Sequence, residues 1–327
     1  MISIDPQETR ITPCMKNIVT STLCLFLLGI VCLAPGSAVS ADEIKSRAAV
    51  VMDAVTGKVL FAKNPDLRLM PASTTKLMTA LVVLERTDVR DAVTVSGRAA
   101  SAPAIKIGLK KGDTVTIETL LNAALIRSAN DASVALAEAA GGSEEEFVDL
   151  MNSRALNLGL YNTRFINPNG LPGTGQYITA YDLAEIMREA IKHPLLKDIL
   201  ATPAAEISTG EGRTTFVRNT NHLLWSDEGL LVGKTGFTRE ARHCFAAAGE
   251  RGTGTVIVAL LGTPSRGLLW EETEKLMALG TRVLNNLEEP VVYITKIDYD
   301  AGKIKKASVS RKHHIKKTKK KKKKVAL

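Results

Sequence analysis

Apolar residues group into β-type runs at both ends of the central portion of this chain and into helical spacing between them. The runs around Val50 and around Leu60, joined at Thr56-Gly57, predict an antiparallel hairpin over residues 47–64. After Pro71 the pattern changes. Residues 76–85 are apolar nearly all round, so the expected helix is buried in the middle of a domain and makes a rigid platform. Helical spacing continues over 118–127 and 132–140, the second closed by Gly141-Gly142, which leaves Ser128-Ala129-Asn130 on the turn between them. Two more helices are expected at 144–158 and 180–192, separated by the Asn-, Pro- and Gly-rich loop 167–173. β patterning then returns: 230–236 reads as a strand, and 243–248 pairs naturally with 255–261 across the turn 249–254. Residues 271–287 read as a closing helix. Strands at both ends with helices between predict a mixed α+β domain whose sheet is assembled from the two termini of the folded region.

Composition leaves this picture intact. The 327 residues are 45% apolar and 4% aromatic, typical of a globular protein with one sizeable core or two small ones. The net charge of +9 misleads if spread over the molecule, because the twelve Lys and one Arg from Lys303 to Leu327 carry +13 and leave −4 on the rest. Such a tail, with few apolar residues, is expected to stay disordered. Its natural partner is an anionic membrane surface or wall polymer met through the lysines between Lys303 and Lys324, the plain alternative being a solubilising tail without a target. At the other end, Lys16 precedes an apolar run from Ile18 to Ala34, broken by Pro35-Gly36 and followed by the small residues Val39-Ser40-Ala41. That is the pattern of an export signal cleaved after Ala41, with Met15 as an alternative start. Three divisions follow: signal peptide 1–41, catalytic domain 42–287, and a short extension 288–327 ending in the polylysine tail. Cleavage removes Cys14, Cys24 and Cys32, and the remaining Cys244 lies in an apolar run that predicts a buried structural role. No Cys/His spacing indicates a metal site, and no cofactor is implied.

The chemistry lies in three short motifs: Ser73-Thr74-Thr75-Lys76, Ser128-Ala129-Asn130 and Lys234-Thr235-Gly236. A serine hydroxyl needs a base within hydrogen-bond reach, and residues three apart share a helix face, so Lys76 can meet Ser73. Lys76 must be neutral to act. Lowering its pKa by about three units takes roughly 4 kcal/mol, which burial beside a second cation, Lys234, could supply. A nucleophile at a helix N-terminus also has backbone N–H groups turned toward a developing oxyanion. Taken singly, the motifs describe a helix cap with a solvated lysine, a polar turn, and a strand ending in glycine; their order and apolar flanks argue for a site.

Together with Asn219-Thr220-Asn221-His222-Leu223-Leu224 and the extended stretches 71–79, 128–132 and 233–238, these motifs resemble the serine D-alanyl-D-alanine carboxypeptidases, low-molecular-weight penicillin-binding proteins, over roughly residues 44–285. The resemblance implies a β-lactamase/transpeptidase-like fold, an antiparallel sheet packed against a helical region with the cleft between. It implies Ser73 as acylated nucleophile, Lys76 as general base, Ser128 as proton relay and Asn130 as orienter of the substrate amide. Lys234 and Thr235 would hold the terminal carboxylate, Gly236 would leave room for substrate, and the N–H groups of Ser73 and Phe237 would form the oxyanion hole. The implied partners are peptidoglycan stem peptides and β-lactam antibiotics, met outside the cytoplasm, with no nucleic acid. An endopeptidase cutting the D-alanyl cross-link is the alternative. A β-lactamase is disfavoured because no Glu-x-x-Leu-Asn motif lies between Asn130 and Lys234, and a non-catalytic wall-binding protein because all three motifs are intact. Ala129, Asn169 and Arg242 depart from residues common in relatives; Asn169 is expected to matter little, and Arg242 to place a long cation near the active strand. Many relatives carry a separate C-terminal β-rich domain; in this sequence 40 residues follow the expected closing helix, of which 289–299 are expected to add a strand or two.

Overall fold

A computed structural model describes residues 43–295, except 104, 210, 211, 227, 228 and 253. The chain divides into two units, 1–38 and 39–327, and every described residue belongs to the second. The expected export signal, with Cys14, Cys24 and Cys32, and the lysine-rich segment 303–327 lie outside the described residues.

In chain order the strands are β1 (Ala48–Asp53), β2 (Val59–Lys63), β3 (Ala92–Thr94), β4 (Thr114–Thr116), β5 (Ala204–Ser208), β6 (Thr214–Arg218), β7 (Leu230–Thr238), β8 (Arg242–Arg251), β9 (Gly254–Thr263) and β10 (Val291–Tyr293). The α-helices are α1 (Lys76–Leu84), α2 (Gly97–Ala100), α3 (Ile117–Asn122), α4 (Asn130–Gly141), α5 (Glu144–Asn157), α6 (Ala180–Ala190), α7 (Pro194–Ala201) and α8 (Arg266–Leu284).

The main sheet has the order β10-β2-β1-β9-β8-β7, so the N-terminal hairpin is built into the C-terminal strands as the pattern predicts. β1 is buried on both faces. Ala48, Val50 and Met52 face the core shared with α1 and the other central helices, while Ala49 and Val51 face a second core under α8. The strand therefore reads as one continuous apolar run. α1 is likewise enclosed, with residues 76–83 all buried. A lysine heading a helix with no wet face has nowhere to place its ammonium except among whatever polar groups the fold brings to it.

Several expectations need correction. The sheet is not wholly antiparallel, because β10 pairs with β2 in parallel. The chain leaves β9, crosses over β1 and β2 through α8, and such a crossover returns a strand in its original direction. α8 begins at Arg266, five residues before the expected start, where the Ser265 hydroxyl accepts from Leu268 N–H as an N-cap. The β8–β9 turn is shorter than the expected 249–254, with β8 running to Arg251 and β9 starting at Gly254. α7 and the β5–β6 hairpin were not anticipated, since their short, mixed runs lack clear periodicity. Finally, the helix expected over 118–127 ends as α3 plus a π-helical turn, Ala123–Arg127. Among the described residues no helix is long and apolar enough to cross a membrane.

Candidate active site

The nucleophile candidate stands on a strained turn. Ala72–Thr75 form a 3-10 turn leading into α1, with the Thr74 hydroxyl donating to Pro71 O at 2.7 Å, and Ala72 has φ +48°. Ser73 is half-buried, and Lys76 is fully buried beneath it. Lys76 Nζ lies 3.1 Å from Ser73 Oγ, 2.8 Å from Asn130 Oδ1 and 2.7 Å from the Asn169 carbonyl. A neutral amine has two N–H donors and one lone pair. If the donors go to Asn130 and Asn169, the lone pair is aimed at the serine proton. Burial holds Lys76 well below the usual lysine range; the neighbouring Lys234 adds to this and Asp131 opposes it. Burial thus leads, and the second cation is the lesser cause.

The Asp131 charge is spoken for. Its carboxylate accepts from the backbone N–H groups of Ile107, Gly108 and Leu109, and of Ala132. This anchors the loop before β4 against α4. Asn130 completes the join, donating from its backbone N–H to Ile105 O at 2.7 Å and from Nδ2 to Pro103 O at 3.1 Å. Ser128 follows the π-helical turn with φ 66° and ψ 35°, a left-handed conformation that costs a non-glycine residue on the order of 1 kcal/mol and is concentrated at functional sites. Its hydroxyl accepts from Lys234 Nζ at 3.0 Å. Lys234, fully buried, also donates to Thr235 O at 3.0 Å, and burial pushes its ammonium down to about 7.

β7 is the edge strand of the sheet and lies against the nucleophile turn. A Cβ at Gly236 would stand 2.9 Å from Ser73 N and 3.1 Å from Pro71 O. On the far side, a Cβ at Gly170, φ +81°, would stand 1.8 Å from Ala72 O. The serine turn is gripped between two glycines. The Thr235 hydroxyl donates to Thr220 Oγ1 at 2.6 Å, and Thr220 N–H donates to Ile126 O at 3.2 Å. One turn, 219–221, therefore braces both β7 and the segment leading to Ser128. Phe237 is exposed at the strand's end.

Hydrogen bonds and close backbone approach bring Ser73, Lys76, Ser128, Asn130, Lys234 and Gly236 together, with the Thr235 hydroxyl on Thr220 beside the segment leading to Ser128 and Phe237 exposed near the end of β7. Sequence reasoning missed three contributors. It dismissed Asn169, whose backbone carbonyl in fact contacts Lys76; because the contact is main-chain, residue identity carried no signal for it. It gave no role to Asp131 or Thr220, although both lie within the stretches that carry the family resemblance. Cys244 is buried, its thiol pushed up to about 12 by burial.

A D-alanyl-D-alanine carboxypeptidase family model matches residues 36–265. The chain is 40% identical over 227 residues to the D-alanyl-D-alanine carboxypeptidase DacF of Bacillus subtilis, covering 68% of this chain and 58% of that protein. It is 35% identical over 248 residues to a D-alanyl-D-alanine endopeptidase of Pseudomonas aeruginosa, covering 70% of this chain and 77% of the relative. Among solved structures, a D-alanyl-D-alanine carboxypeptidase from Mycobacterium tuberculosis superposes with TM-score 0.71 at 31% identity, covering 75% of this chain and 94% of that one.

Proposed function

Because this chain belongs to the serine D-alanyl-D-alanine carboxypeptidase family, we propose that it hydrolyses the terminal D-Ala-D-Ala bond of peptidoglycan stem peptides through an ester on Ser73. Lys76, neutral in its buried site, takes the hydroxyl proton as Ser73 Oγ attacks the carbonyl of the penultimate D-alanine. The oxyanion is held by the N–H groups of Ser73 and Phe237, each donor worth on the order of 3 kcal/mol. Asn130 orients the substrate amide. As the tetrahedral intermediate collapses, the C–N bond breaks and Ser128 passes its hydroxyl proton to the departing amine; the proton that Lys76 took from Ser73 replaces it, which leaves Lys76 neutral once more, while Lys234 holds the Ser128 hydroxyl in place. Water then attacks the ester with Lys76 again as base, releasing the shortened peptide. Lys234 and Thr235 hold the terminal carboxylate, and Gly236 lets the peptide lie along β7.

The observation that carries this reading is the set of three partners around Lys76 Nζ. β-Lactams, which present a strained amide to the same serine, acylate Ser73. The substrate is extracellular, so the proposal includes export by residues 1–41 to the periplasm or the outer face of the cytoplasmic membrane, with the lysines between Lys303 and Lys324 meeting an anionic membrane or wall polymer. The endopeptidase-named relative supports a second activity, cleavage of the D-alanyl cross-link by the same machinery.

D-alanine release from a pentapeptide ending in D-Ala-D-Ala, compared with loss of cross-linked muropeptide dimers, separates the two. Intact-protein mass after penicillin treatment is expected to show one adduct, absent in Ser73→Ala. No adduct on the unaltered protein would sink the acyl-enzyme mechanism.

A further inference from the structure

The hairpin closing the active-site edge carries a cation in an unfavourable backbone conformation. Arg242 has φ +61°, where a residue with a Cβ costs on the order of 1 kcal/mol and glycine sits freely. It is exposed, opens β8 and pairs across the hairpin with Thr238. Strand alternation puts Thr238 on the face of β7 that carries Gly236, which abuts Ser73. Two residues along β8, Cys244 lies opposite Gly236 and its thiol reaches Met70 O at 3.6 Å, so this end of the hairpin borders the serine turn. Arg239 is exposed on the hairpin turn, with Glu240 the acidic residue between the two arginines. Next to them the His243 ring packs tilted against Phe237, with centroids 4.5 Å apart, and burial, then Arg266 and Arg242, hold its imidazole below the ordinary value. The charge of Arg242 is therefore felt beside Phe237.

The direction of the substrate follows from the function proposed above, on which this inference rests. With the terminal carboxylate at Lys234 and Thr235 and the scissile carbonyl at Phe237 N–H, the upstream peptide continues along β7 toward its hairpin. At about 3.3 Å per residue, the amino acid preceding the two D-alanines arrives at the hairpin tip. We propose that Arg242, with Arg239 beside it, recognises a carboxylate on the side chain of that amino acid, so that the enzyme prefers stem peptides anionic at this position. A strained arginine at the mouth of the site is then a specificity device rather than an accident of the turn.

The test uses two pentapeptides ending in D-Ala-D-Ala that differ only in whether the side chain of the preceding residue ends in a carboxylate or the matching carboxamide. D-alanine release by the full chain is expected to favour the carboxylate in kcat/KM by about three- to fivefold, the size of an exposed ion pair. The preference shrinks as salt is raised. Arg242→Gln abolishes most of it, and Arg242→Gly abolishes it while raising Tm, because the backbone strain is relieved. Equal rates on the two peptides, or a preference that survives in both variants, would overturn the proposal. Absence of D-alanine release from either peptide would instead sink the carboxypeptidase reading, and this inference with it.

Discussion

Lys234→Met separates what the site costs in stability from what it contributes to catalysis. Lys234 is fully buried, and its ammonium is pushed from 10.5 down to about 7. In the unfolded chain the amine regains its ordinary value, so between those two pH values the unfolded state binds the extra proton and stability rises with pH. At about 1.4 kcal/mol per pKa unit, this lysine destabilises the fold by about 4 kcal/mol at pH 7 and about 2 kcal/mol at pH 9. Methionine keeps the length and removes the charge. It also forfeits the hydrogen bonds to Ser128 and to Thr235 O, about 1 kcal/mol each, so the variant gains roughly 2 kcal/mol at pH 7. Urea denaturation midpoints at both pH values check this. Wild type is expected to gain at least about 2 kcal/mol more than the variant between pH 7 and pH 9: titrations untouched by the substitution cancel in the difference, and Lys76, freed of the Lys234 charge, holds its proton more tightly in the variant and so flattens its pH dependence. Penicillin acylation is expected to fall at least a hundredfold, because Ser128 loses the ammonium that holds its hydroxyl and, on the function proposed above, the substrate carboxylate loses its counter-charge. Parallel pH dependence in the two proteins would refute the burial argument, whatever happens to activity.

Other outcomes follow from the same geometry. Gly170→Ala drives a methyl to 1.8 Å from Ala72 O in a left-handed conformation, so acylation of Ser73 is expected to drop more than tenfold and Tm to fall, read by penicillin-adduct kinetics and calorimetry. Asp131→Asn removes a charge that receives backbone N–H groups from Ile107, Gly108 and Leu109, and is expected to cost about 2–4 kcal/mol in denaturant unfolding. Thr220→Val deletes the acceptor for the Thr235 hydroxyl; a severalfold rise in KM for the D-Ala-D-Ala peptide with kcat nearly constant is expected, and an unchanged KM would show that Thr235 needs no brace.

Much of the arrangement was legible in the chain because its elements announce themselves locally. The all-apolar stretch of α1 and the two-sided apolar run of β1 could be satisfied only inside a domain, and both are buried. The three motifs lie at the ends of strongly patterned elements, so their neighbourhood could be expected from spacing and apolar flanks. Elements with weak or mixed patterns, α7 and the β5–β6 hairpin, escaped, as did the π-helical turn before Ser128, because a single extra residue per turn leaves no trace in hydrophobic periodicity.

Residue types and their order determined that this chain has a serine, two lysines and an amide-bearing turn available for acyl transfer, and which helix and strand present them. Tertiary structure alone decided the rest. The third partner of Lys76 is a backbone carbonyl from a loop 93 residues away, and main-chain groups are common to every residue. The grip of Gly170 and Gly236 on the serine turn depends on how closely two distant backbones approach. The lowered proton affinity of Lys76 and Lys234 depends on burial, which is a property of everything packed around an amine and so cannot be read from the stretch of chain that carries it.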